Sequence, residues 1–396
     1  MTTVTTTNRR RTLGDASAAG LGRLVTAAFV IAVSQLGVRP QDSDVIVTLV
    51  SQGGAVVLFC FQMATTVATP TLAAGGSISS EGRRLLQFSL VMATVFAVLH
   101  RPILGFLGVP SAAPVAVSWV ILLFAAPIGV LSGIQIAHSH IADRTRFRFL
   151  VPFSSPLSAL IVFLVTKSIL WTTCAWAIAW CIDYAVLRAL NQQGPRSYPS
   201  PEYRGESRVT QKLGPGVAVA QLSSIATSGV IAACMNRLGN GLTSAYYGAD
   251  RIVMGLMGLG MALIIPKVWT GRVLSGQLPR IGRWLLIVAA SALSATVVGL
   301  LTPRSDSRVT AMLTIGLVLL CGWPVFASQQ VLQARLLTQG RPWAGAGLAL
   351  ASLAVVGGVG AGALLTGHPE LVPVGVVWSA AVATLAGLRL SRVRLT

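Results

Sequence analysis

Apolar residues occur in long runs along this chain, and short polar segments that carry most of the charges separate them. Each run is about as long as an α-helix must be to cross a bilayer, which is roughly 17–25 residues. The pattern therefore predicts about twelve membrane-spanning helices. They lie near residues 20–37, 45–72, 85–107, 115–136, 150–166, 169–187, 214–235, 242–266, 284–301, 311–333, 344–366 and 371–388.

Composition leads to the same class of protein. Of the 396 residues, 54% are hydrophobic and 10% are charged, and the mean hydropathy is +0.73. Soluble domains have about a quarter of their residues charged, so this chain lies far outside their range. These values exclude a soluble enzyme, a disordered chain and a secreted disulfide scaffold. They predict an all-α polytopic membrane protein.

The basic residues predict how the helices are oriented. The chain has 30 Lys and Arg against 11 Asp and Glu, a formal net charge of +19. With the N-terminus in the cytoplasm, 23 of the 30 basic residues fall on the cytoplasmic side and six on the outer side, as the positive-inside rule requires. We therefore predict a bacterial inner-membrane protein with both termini cytoplasmic. Its basic loops would face anionic inner-leaflet lipid, so the charge requires no nucleic-acid partner.

A polar, proline-bearing segment at residues 191–212 divides the chain into two halves of six predicted spans. Such a segment is typical of a linker. We accordingly predict a cytoplasmic tail (1–19), a six-helix lobe (20–190), the linker, a second six-helix lobe (213–390) and a short tail (391–396). Two equal halves with the same orientation favour a parallel pseudo-repeat around a central cavity, as in several secondary transporters.

Ionisable residues inside the apolar runs are the main candidates for function, because charge is costly in lipid and usually faces a cavity or a partner. Asp250 and Arg251 are adjacent in the eighth predicted span, shortly after Tyr246 and Tyr247. Adjacent positions lie about 100° apart around a helix, so the two charges need not pair with each other. Two interpretations remain open. One is an interhelical salt bridge, and the other is a cavity-facing Arg251 that binds an anionic headgroup beside the two tyrosines.

Four further residues belong to the candidate site. Asp183, in the inner part of the sixth span, either pairs with Arg188 or serves as a coupling carboxylate. Arg23, near the start of the first span, either snorkels to the cytoplasmic surface or contacts phosphate at the cavity entrance. Asp44 precedes the second span and is expected to cap it. Gln221 adds polarity to the seventh span, for cavity lining or for hydrogen-bonded helix packing.

The sequence contains no pattern for covalent catalysis. It has no Walker loop, no arguable nucleophile–base arrangement and no clear ligand spacing for a metal ion. We therefore predict a protein that is not an enzyme and that has no catalytic residues, cofactor or metal. Na⁺ or H⁺ remains open as a coupling ion.

Part of the chain resembles a known transporter family. Residues 213–224 and 245–266, with a Tyr-Tyr-Gly-Ala-Asp-Arg motif, glycine-spaced apolar residues and a closing proline, resemble the start of the second lobe in the peptidoglycan lipid II flippases. That virulence-factor family belongs to the multidrug/oligosaccharidyl-lipid/polysaccharide (MOP) exporter superfamily. Residues 121–165 look like its fourth and fifth helices, and residues 22–44 look like its opening helix and turn.

The resemblance implies roles for individual residues. In that family a basic inward cavity binds the pyrophosphate of an undecaprenyl-linked sugar. By position, Arg251 and Arg23 match cavity arginines, and Asp44 matches an acid at the start of the second helix, a coupling or salt-bridge candidate together with Asp250 and Asp183. Phe29 and Val30 stand where the family usually has a second Arg and an acid. Twelve helices fit the polysaccharide exporters and the multidrug and toxin extrusion (MATE) members of the superfamily.

These observations lead to one functional prediction and two alternatives. We predict a transporter that flips a lipid-linked glycan precursor, or a similar amphipathic anion, by alternating access. Arg251 and Arg23 would neutralise the phosphate, and Tyr246 and Tyr247 would stack on sugar. Its other partners would be anionic inner-leaflet lipids and envelope-synthesis membrane proteins. The first alternative is a cation-coupled, MATE-type multidrug antiporter that uses Asp183 or Asp250. The second is a non-transporting scaffold that presents basic loops to envelope-synthesis enzymes.

Overall fold

The fold is helical throughout the part of the chain that the structure describes. The computed structural model describes residues 22, 24–36, 39–73, 78–141, 150–192, 214–269, 278–301, 307–338 and 341–392, which form fifteen α-helices and no β-strand. In chain order they are α1 (Leu24–Gln35), α2 (Pro40–Ala73), α3 (Ser79–Val98), α4 (His100–Phe106), α5 (Ala113–Phe124), α6 (Ala126–Ile141), α7 (Leu150–Thr166), α8 (Ile169–Gln192), α9 (Gly214–Leu238), α10 (Leu242–Trp269), α11 (Leu278–Leu301), α12 (Ser307–Cys321), α13 (Trp323–Thr338), α14 (Pro342–Thr366) and α15 (Leu371–Arg392).

The helices follow the predicted spans. Six helical stretches are long and apolar enough to cross a membrane, and the bent pairs α3/α4 (72°) and α12/α13 (54°) bring the number to eight. When the shorter apolar helices α1, α7 and α11 and the long helix α10 are added, each of the twelve predicted spans corresponds to a helix or a broken helix pair. The chain is a multi-pass membrane protein, and the predicted number of spans holds approximately.

Helix packing divides the chain into two groups. Among α2–α15, the pairs that pack extensively lie within α2–α8 or within α9–α15, except that α2 also packs on α9 and α10. The fourth span of each half is interrupted, at Ala125 between α5 and α6 and at Gly322 between α12 and α13. This agreement is what a parallel repeat predicts. Most of the predicted linker, residues 193–212, lies outside the described residues, so the domain boundaries stay a prediction.

Small residues allow the helices of the first lobe to pack closely. In lipid there is little hydrophobic force between helices, so association depends on close van der Waals contact and on hydrogen bonds. A Cβ atom added to Gly133 of α6 would overlap the carbonyl oxygen of Phe61 on α2, and one added to Gly129 would lie 2.7 Å from the carbonyl oxygen of Val57. The backbones of α2 and α6 therefore approach each other more closely than any larger residue allows.

The start of α2 differs from the prediction. The second span was expected to begin near residue 45, but α2 begins at Pro40, whose fixed φ suits the first turn of a helix. Asp44 consequently lies inside α2 and not in the turn before it. This shift matters because it places the Asp44 side chain on the face of α2 that packs against the second lobe.

Candidate functional site between the lobes

A stripe of polar residues on α2 forms the centre of the contact between the lobes. Asp44, Thr48 and Gln52 are spaced four residues apart and therefore lie on one face of the helix. All three are buried, with at most 4% of each residue exposed. Each one hydrogen-bonds to α9 or α10 of the second lobe. We call these three residues the α2 stripe.

Asp44 caps a helix of the other lobe. One of its carboxylate oxygens accepts the backbone N–H of Gly241 at 2.5 Å, and the other accepts the N–H and the hydroxyl of Ser244 at 2.8 and 2.7 Å. Gly241 directly precedes α10 and has φ +87°, in the left-handed region that favours glycine. The first N–H groups of a helix lack acceptors within the helix, and the Asp44 carboxylate is the acceptor for two of them at the start of α10. The prediction that Asp44 caps its own helix is therefore wrong.

The end of α9 makes a complementary contact with α4. The guanidinium of Arg237 donates to the carbonyl oxygens of Gly105 (2.9 Å) and Phe106 (2.7 Å), at the C-terminal end of α4. The amide of Asn236 donates to the Leu107 carbonyl at 2.7 Å and to the Thr48 hydroxyl at 3.1 Å. These carbonyls lie at the end of α4, where only the Gly105 carbonyl also accepts a backbone N–H among the described residues, from Gly108 at 3.2 Å. The second lobe therefore caps α4 as the first lobe caps α10.

A third contact joins α12 to the end of α1. The guanidinium of Arg308 donates to the carbonyl oxygen of Ser34 at 2.5 Å. Ser34 lies in the last turn of α1, where carbonyls are left without helical partners. Arg308 also packs on Gly241, where an added Cβ atom would lie 2.9 Å from its Cδ atom. It interacts electrostatically with Asp44 as well.

The three charged contacts share one physical principle. Asp44 meets the positive N-terminal end of α10, whereas Arg237 and Arg308 meet the negative C-terminal ends of α4 and α1. Each charge thus lies at the helix end of opposite partial charge in the other lobe. We call Asp44, Arg237 and Arg308 the clasp. Because the chain alternates in direction, all of these helix ends lie at the same end of the molecule.

A neutral bridge lies deeper in the same interface. The amide nitrogen of Gln52 donates to the hydroxyl of Tyr247 (2.8 Å) and to that of Ser228 (2.9 Å). The Tyr247 hydroxyl also lies 2.8 Å from the Ser228 hydroxyl and donates to the Ser228 carbonyl at 3.1 Å. Gln52 follows Asp44 by eight residues, which is about 12 Å along α2. We call Gln52, Ser228 and Tyr247 the bridge.

Arg251 lies one helical turn beyond the bridge. It follows Tyr247 by four residues on α10 and shares its face, with the guanidinium carbon 6.0 Å from the centre of the Tyr247 ring. Its Nε atom is buried and has no hydrogen-bond partner among the described residues. The nearest carboxylate oxygen is that of Asp250, 4.0 Å from Nε, and about a third of the Arg251 side chain is exposed. At the depth of Arg251, α2 no longer presents polar side chains on this face, because the α2 stripe is followed by the apolar residues Ala55, Val56 and Phe59.

Asp183 lies in the first lobe, away from the clasp. It is buried, with 3% of the residue exposed, and the Ser154 hydroxyl of α7 donates to its carboxylate. The predicted pairing with Arg188 is not what the structure has, because Arg188 is exposed and its guanidinium donates to the Tyr184 hydroxyl at 3.3 Å. The carboxylate at position 183 is therefore held by a neutral hydroxyl donor.

The remaining predicted residues differ in their surroundings. Tyr246 and Tyr247 are both buried and pack edge to face, with ring centres 5.6 Å apart, so a sugar could reach either ring only after a rearrangement. Gln221 is half-buried on α9. Arg23 lies outside the described residues. The stacking of sugar on the tyrosines and the roles of Gln221 and Arg23 stay predictions.

Several residues of this interface were not among the predicted site residues. They are Thr48, Gln52, Ser228, Arg237 and Arg308. A signal for two of them exists, because polar residues at intervals of four in an otherwise apolar helix, as at Asp44, Thr48 and Gln52, indicate a helix face that meets polar partners. The sequence predicted only that Arg237 and Arg308 are among the six basic residues on the outer side. It does not show which helix end the side chain of each arginine will reach.

The two helical groups make up a fold that solved structures of membrane transporters share. The chain resembles a structure described as the lipid II flippase MurJ in an inward closed conformation, with a TM-score of 0.70 and 13% identity over 95% of this chain and 86% of that one. It also resembles an outward-facing MATE family transporter of the MOP superfamily (TM-score 0.62, 13% identity, 97% and 96% of the chains). A MOP superfamily transporter from Pyrococcus furiosus is similar too (0.60, 13%, 97% and 93%).

The sequence comparisons add no closer relative. No protein-family model matches the chain, and no curated protein does. The similarity of this chain to known proteins therefore rests on three-dimensional structure, at low sequence identity. It shows the MOP exporter fold, which confirms the fold that the sequence resemblance predicted.

Proposed function

We propose that this protein is an alternating-access transporter that flips a lipid-linked glycan precursor, or a similar amphipathic anion, across the cytoplasmic membrane. The observation that carries the proposal is the position of Arg251. It lies just past the last polar contact between the lobes, with a buried Nε donor that has no partner among the described residues. A guanidinium at this depth is costly unless it meets an anion.

The chemistry of Arg251 suits a phosphate or pyrophosphate group. A guanidinium presents several N–H donors in a plane and binds such oxyanions in a bidentate manner, whereas it cannot lose its proton to escape burial. The Tyr247 ring lies beside the guanidinium, and the Asp250 carboxylate oxygen is 4.0 Å from Nε, which is too far for a hydrogen bond. An incoming anion would therefore gain a prepared cation without breaking a strong ion pair at Nε.

The clasp supports the alternating-access part of the proposal. With the predicted orientation, the clasp lies on the outer side of the membrane and holds the lobes together there. Arg251 would then be reached from the cytoplasmic side, where a lipid-linked precursor is made. Transport requires that the clasp opens while the opposite side closes, so that the headgroup passes between the lobes and the lipid tail stays in the bilayer.

Lipid binding and flipping by two arginine variants test this proposal. Native mass spectrometry of gently purified protein should detect a polyprenyl-phosphate-linked species on the wild type and lose it in Arg251→Ala. Arg188→Ala is the matched control, because Arg188 is also an arginine of a membrane helix but is exposed. In vesicles, flipping of a fluorescent polyprenyl phosphosugar should fall at least tenfold in Arg251→Ala alone. Equal binding and flipping by all three proteins would exclude Arg251 as the anion site.

A second function is favoured by one observation, the burial of Asp183. A carboxylate in the membrane region that pairs with a hydroxyl rather than a base is suited to binding a proton or a cation, as a coupled multidrug antiporter requires. Under this alternative, Asp183→Asn should abolish drug efflux driven by a proton or sodium gradient. It should leave the binding of polyprenyl phosphate unchanged. The pair of variants Arg251→Ala and Asp183→Asn therefore separates the two functions.

A further inference from the structure

The bridge of Gln52, Ser228 and Tyr247 joins the two lobes without a charged side chain. All three groups are neutral and both donate and accept hydrogen bonds. All three lie in the interface that must separate if the lobes move apart. When that happens, the Gln52 amide of the first lobe loses both of its acceptors, and the Tyr247 and Ser228 hydroxyls of the second lobe lose their Gln52 donor. An unsatisfied polar group at membrane depth is costly.

We propose that the bridge is a second binding subsite, and that it takes the sugar hydroxyls of a ligand whose phosphate is held by Arg251. In the closed arrangement the three groups bind one another. In the separated arrangement they bind the ligand instead. The proposal rests on the proposed anion site at Arg251 and adds to it the part of the ligand that is recognised next to the anion.

The positions of the groups support this assignment. Tyr247 and Arg251 are four residues apart on the same face of α10, so their side chains lie about one helical turn, or 6 Å, from each other. A hexose attached to a phosphate extends over a similar distance. Gln52 and Ser228 approach the Tyr247 hydroxyl from two different helices, which would place donors and acceptors on two sides of the same sugar ring.

The chemistry also matches a polyhydroxylated group better than a second anion or an apolar drug. No charged side chain takes part in the three bonds of the bridge, so a further phosphate would gain little there. An apolar ligand would leave the Gln52 amide without its two acceptors and the two hydroxyls without the Gln52 donor. A site built from buried hydroxyl and amide groups rejects ligands that lack matching hydroxyls, because its own groups are then left unpaired.

The test compares two probes, a polyprenyl phosphate and the same polyprenyl phosphate carrying one hexose. Their dissociation constants are measured on purified full-length protein in detergent, and the readout is the ratio of the two constants. Separation of the lobes affects both probes equally, so the ratio reports only the contribution of the sugar. We expect the hexose to improve binding of the wild type by about tenfold.

Three variants remove one member of the bridge each. Gln52→Leu, Ser228→Ala and Tyr247→Phe should each lower the advantage of the hexose about three- to tenfold, which is the range for one to two lost hydrogen bonds. Ser223→Ala is the control, because Ser223 is a buried serine of the same helix whose hydroxyl donates to the Val219 carbonyl within that helix. It should keep the full advantage. Thermal unfolding curves identify any variant that fails to fold. If one variant fails, the hexose advantage is read from the other two.

The outcomes separate this inference from the proposed function. If the hexose binds with its full advantage in Gln52→Leu and Ser228→Ala, the bridge is not a sugar subsite, whatever Arg251 does. If Arg251→Ala leaves the affinity of both probes unchanged, the anion site is wrong. A loss of the hexose advantage in the bridge variants, with an undiminished affinity for polyprenyl phosphate, supports the sugar subsite. A loss of affinity for both probes in Arg251→Ala supports the anion site.

Discussion

The clasp and the bridge join the same two lobes by different means. The clasp uses one carboxylate and two guanidinium groups, and each of them binds backbone groups at a helix end. The bridge uses a carboxamide and two hydroxyls that bind one another, together with one backbone carbonyl. Both involve the α2 stripe, and about 12 Å of helix separates Asp44 from Gln52.

The difference follows from what happens when the contacts break. At the helix ends, which lie near the edge of the bilayer, water can solvate both the freed charge and the freed backbone groups. A charge released at the depth of the bridge would have no such solvent and would be far more costly than a hydroxyl or an amide. Between the lobes, the charged contacts therefore lie at the helix ends, and the neutral contacts, which another hydroxylated molecule can replace, lie deeper.

Removal of the Asp44 carboxylate should give the largest change. Asp44→Ala takes away three hydrogen bonds of the clasp, so closure should weaken by about 2 kcal/mol or more, a roughly 30-fold shift toward separated lobes. The measurement is the distance between spin labels at Thr166 and Thr366, two exposed positions at the clasp end, in protein freed of its five cysteines. Asp42→Ala is the matched control, since Asp42 is an exposed carboxylate of the same helix. An identical shift in both variants would show that the cap is unimportant.

The two arginines of the clasp should contribute less than Asp44. Arg237→Gln and Arg308→Gln each remove a charge from the end of one helix, an effect of about 1 kcal/mol or a roughly fivefold shift in the same spin-label distance distribution. The arginines cap different helices, α4 and α1, so the double variant should show the sum of the two free-energy changes. Arg101→Gln, an exposed arginine of α4, should have no effect. A double variant no worse than either single variant would mean that the arginines act as one unit.

The bridge should affect closure by a similar or smaller amount, but in a non-additive way. Gln52→Leu and Tyr247→Phe disrupt the same hydrogen bond, so each should weaken closure by about 0.5–1.5 kcal/mol and the double variant should be little worse. A complete double-mutant cycle, read from the same labels, gives the coupling free energy. Full additivity would show that the two residues act separately and that the bond contributes nothing to closure.

Ionic strength should give the smallest effect and distinguish the two regions directly. Raising the salt from about 0.05 to 0.5 M screens Arg237 and Arg308, the two partly exposed charges of the clasp. The closed population should therefore fall by no more than about threefold. The same dependence should remain in Gln52→Leu, because the bridge carries no charge. It should be weaker in the Arg237→Gln, Arg308→Gln double variant. A salt dependence that Gln52→Leu abolishes would contradict the division into a charged and a neutral region.

Several features could be predicted because they depend on local composition. The length of each apolar run determined the spans, and the distribution of Lys and Arg predicted an orientation. Asp44 was recognised as a capping residue because aspartate at a helix start is a strong local signal. What it caps could not be predicted, since Gly241 and Ser244 are almost 200 positions away in the sequence and the local rule considers only the helix that follows.

The sequence by itself determined that this protein is a helical membrane protein and that Arg251 is a charge at membrane depth. Hydrophobicity and charge act residue by residue, so they can be read without knowing the fold. Only the tertiary structure decided which groups Asp44, Arg237 and Arg308 bind, and that Gln52 reaches Tyr247 and Ser228. Those contacts depend on the packing of α2 against α9 and α10, because hydrogen bonds require atoms within about 3 Å and no local pattern specifies such a distance between lobes.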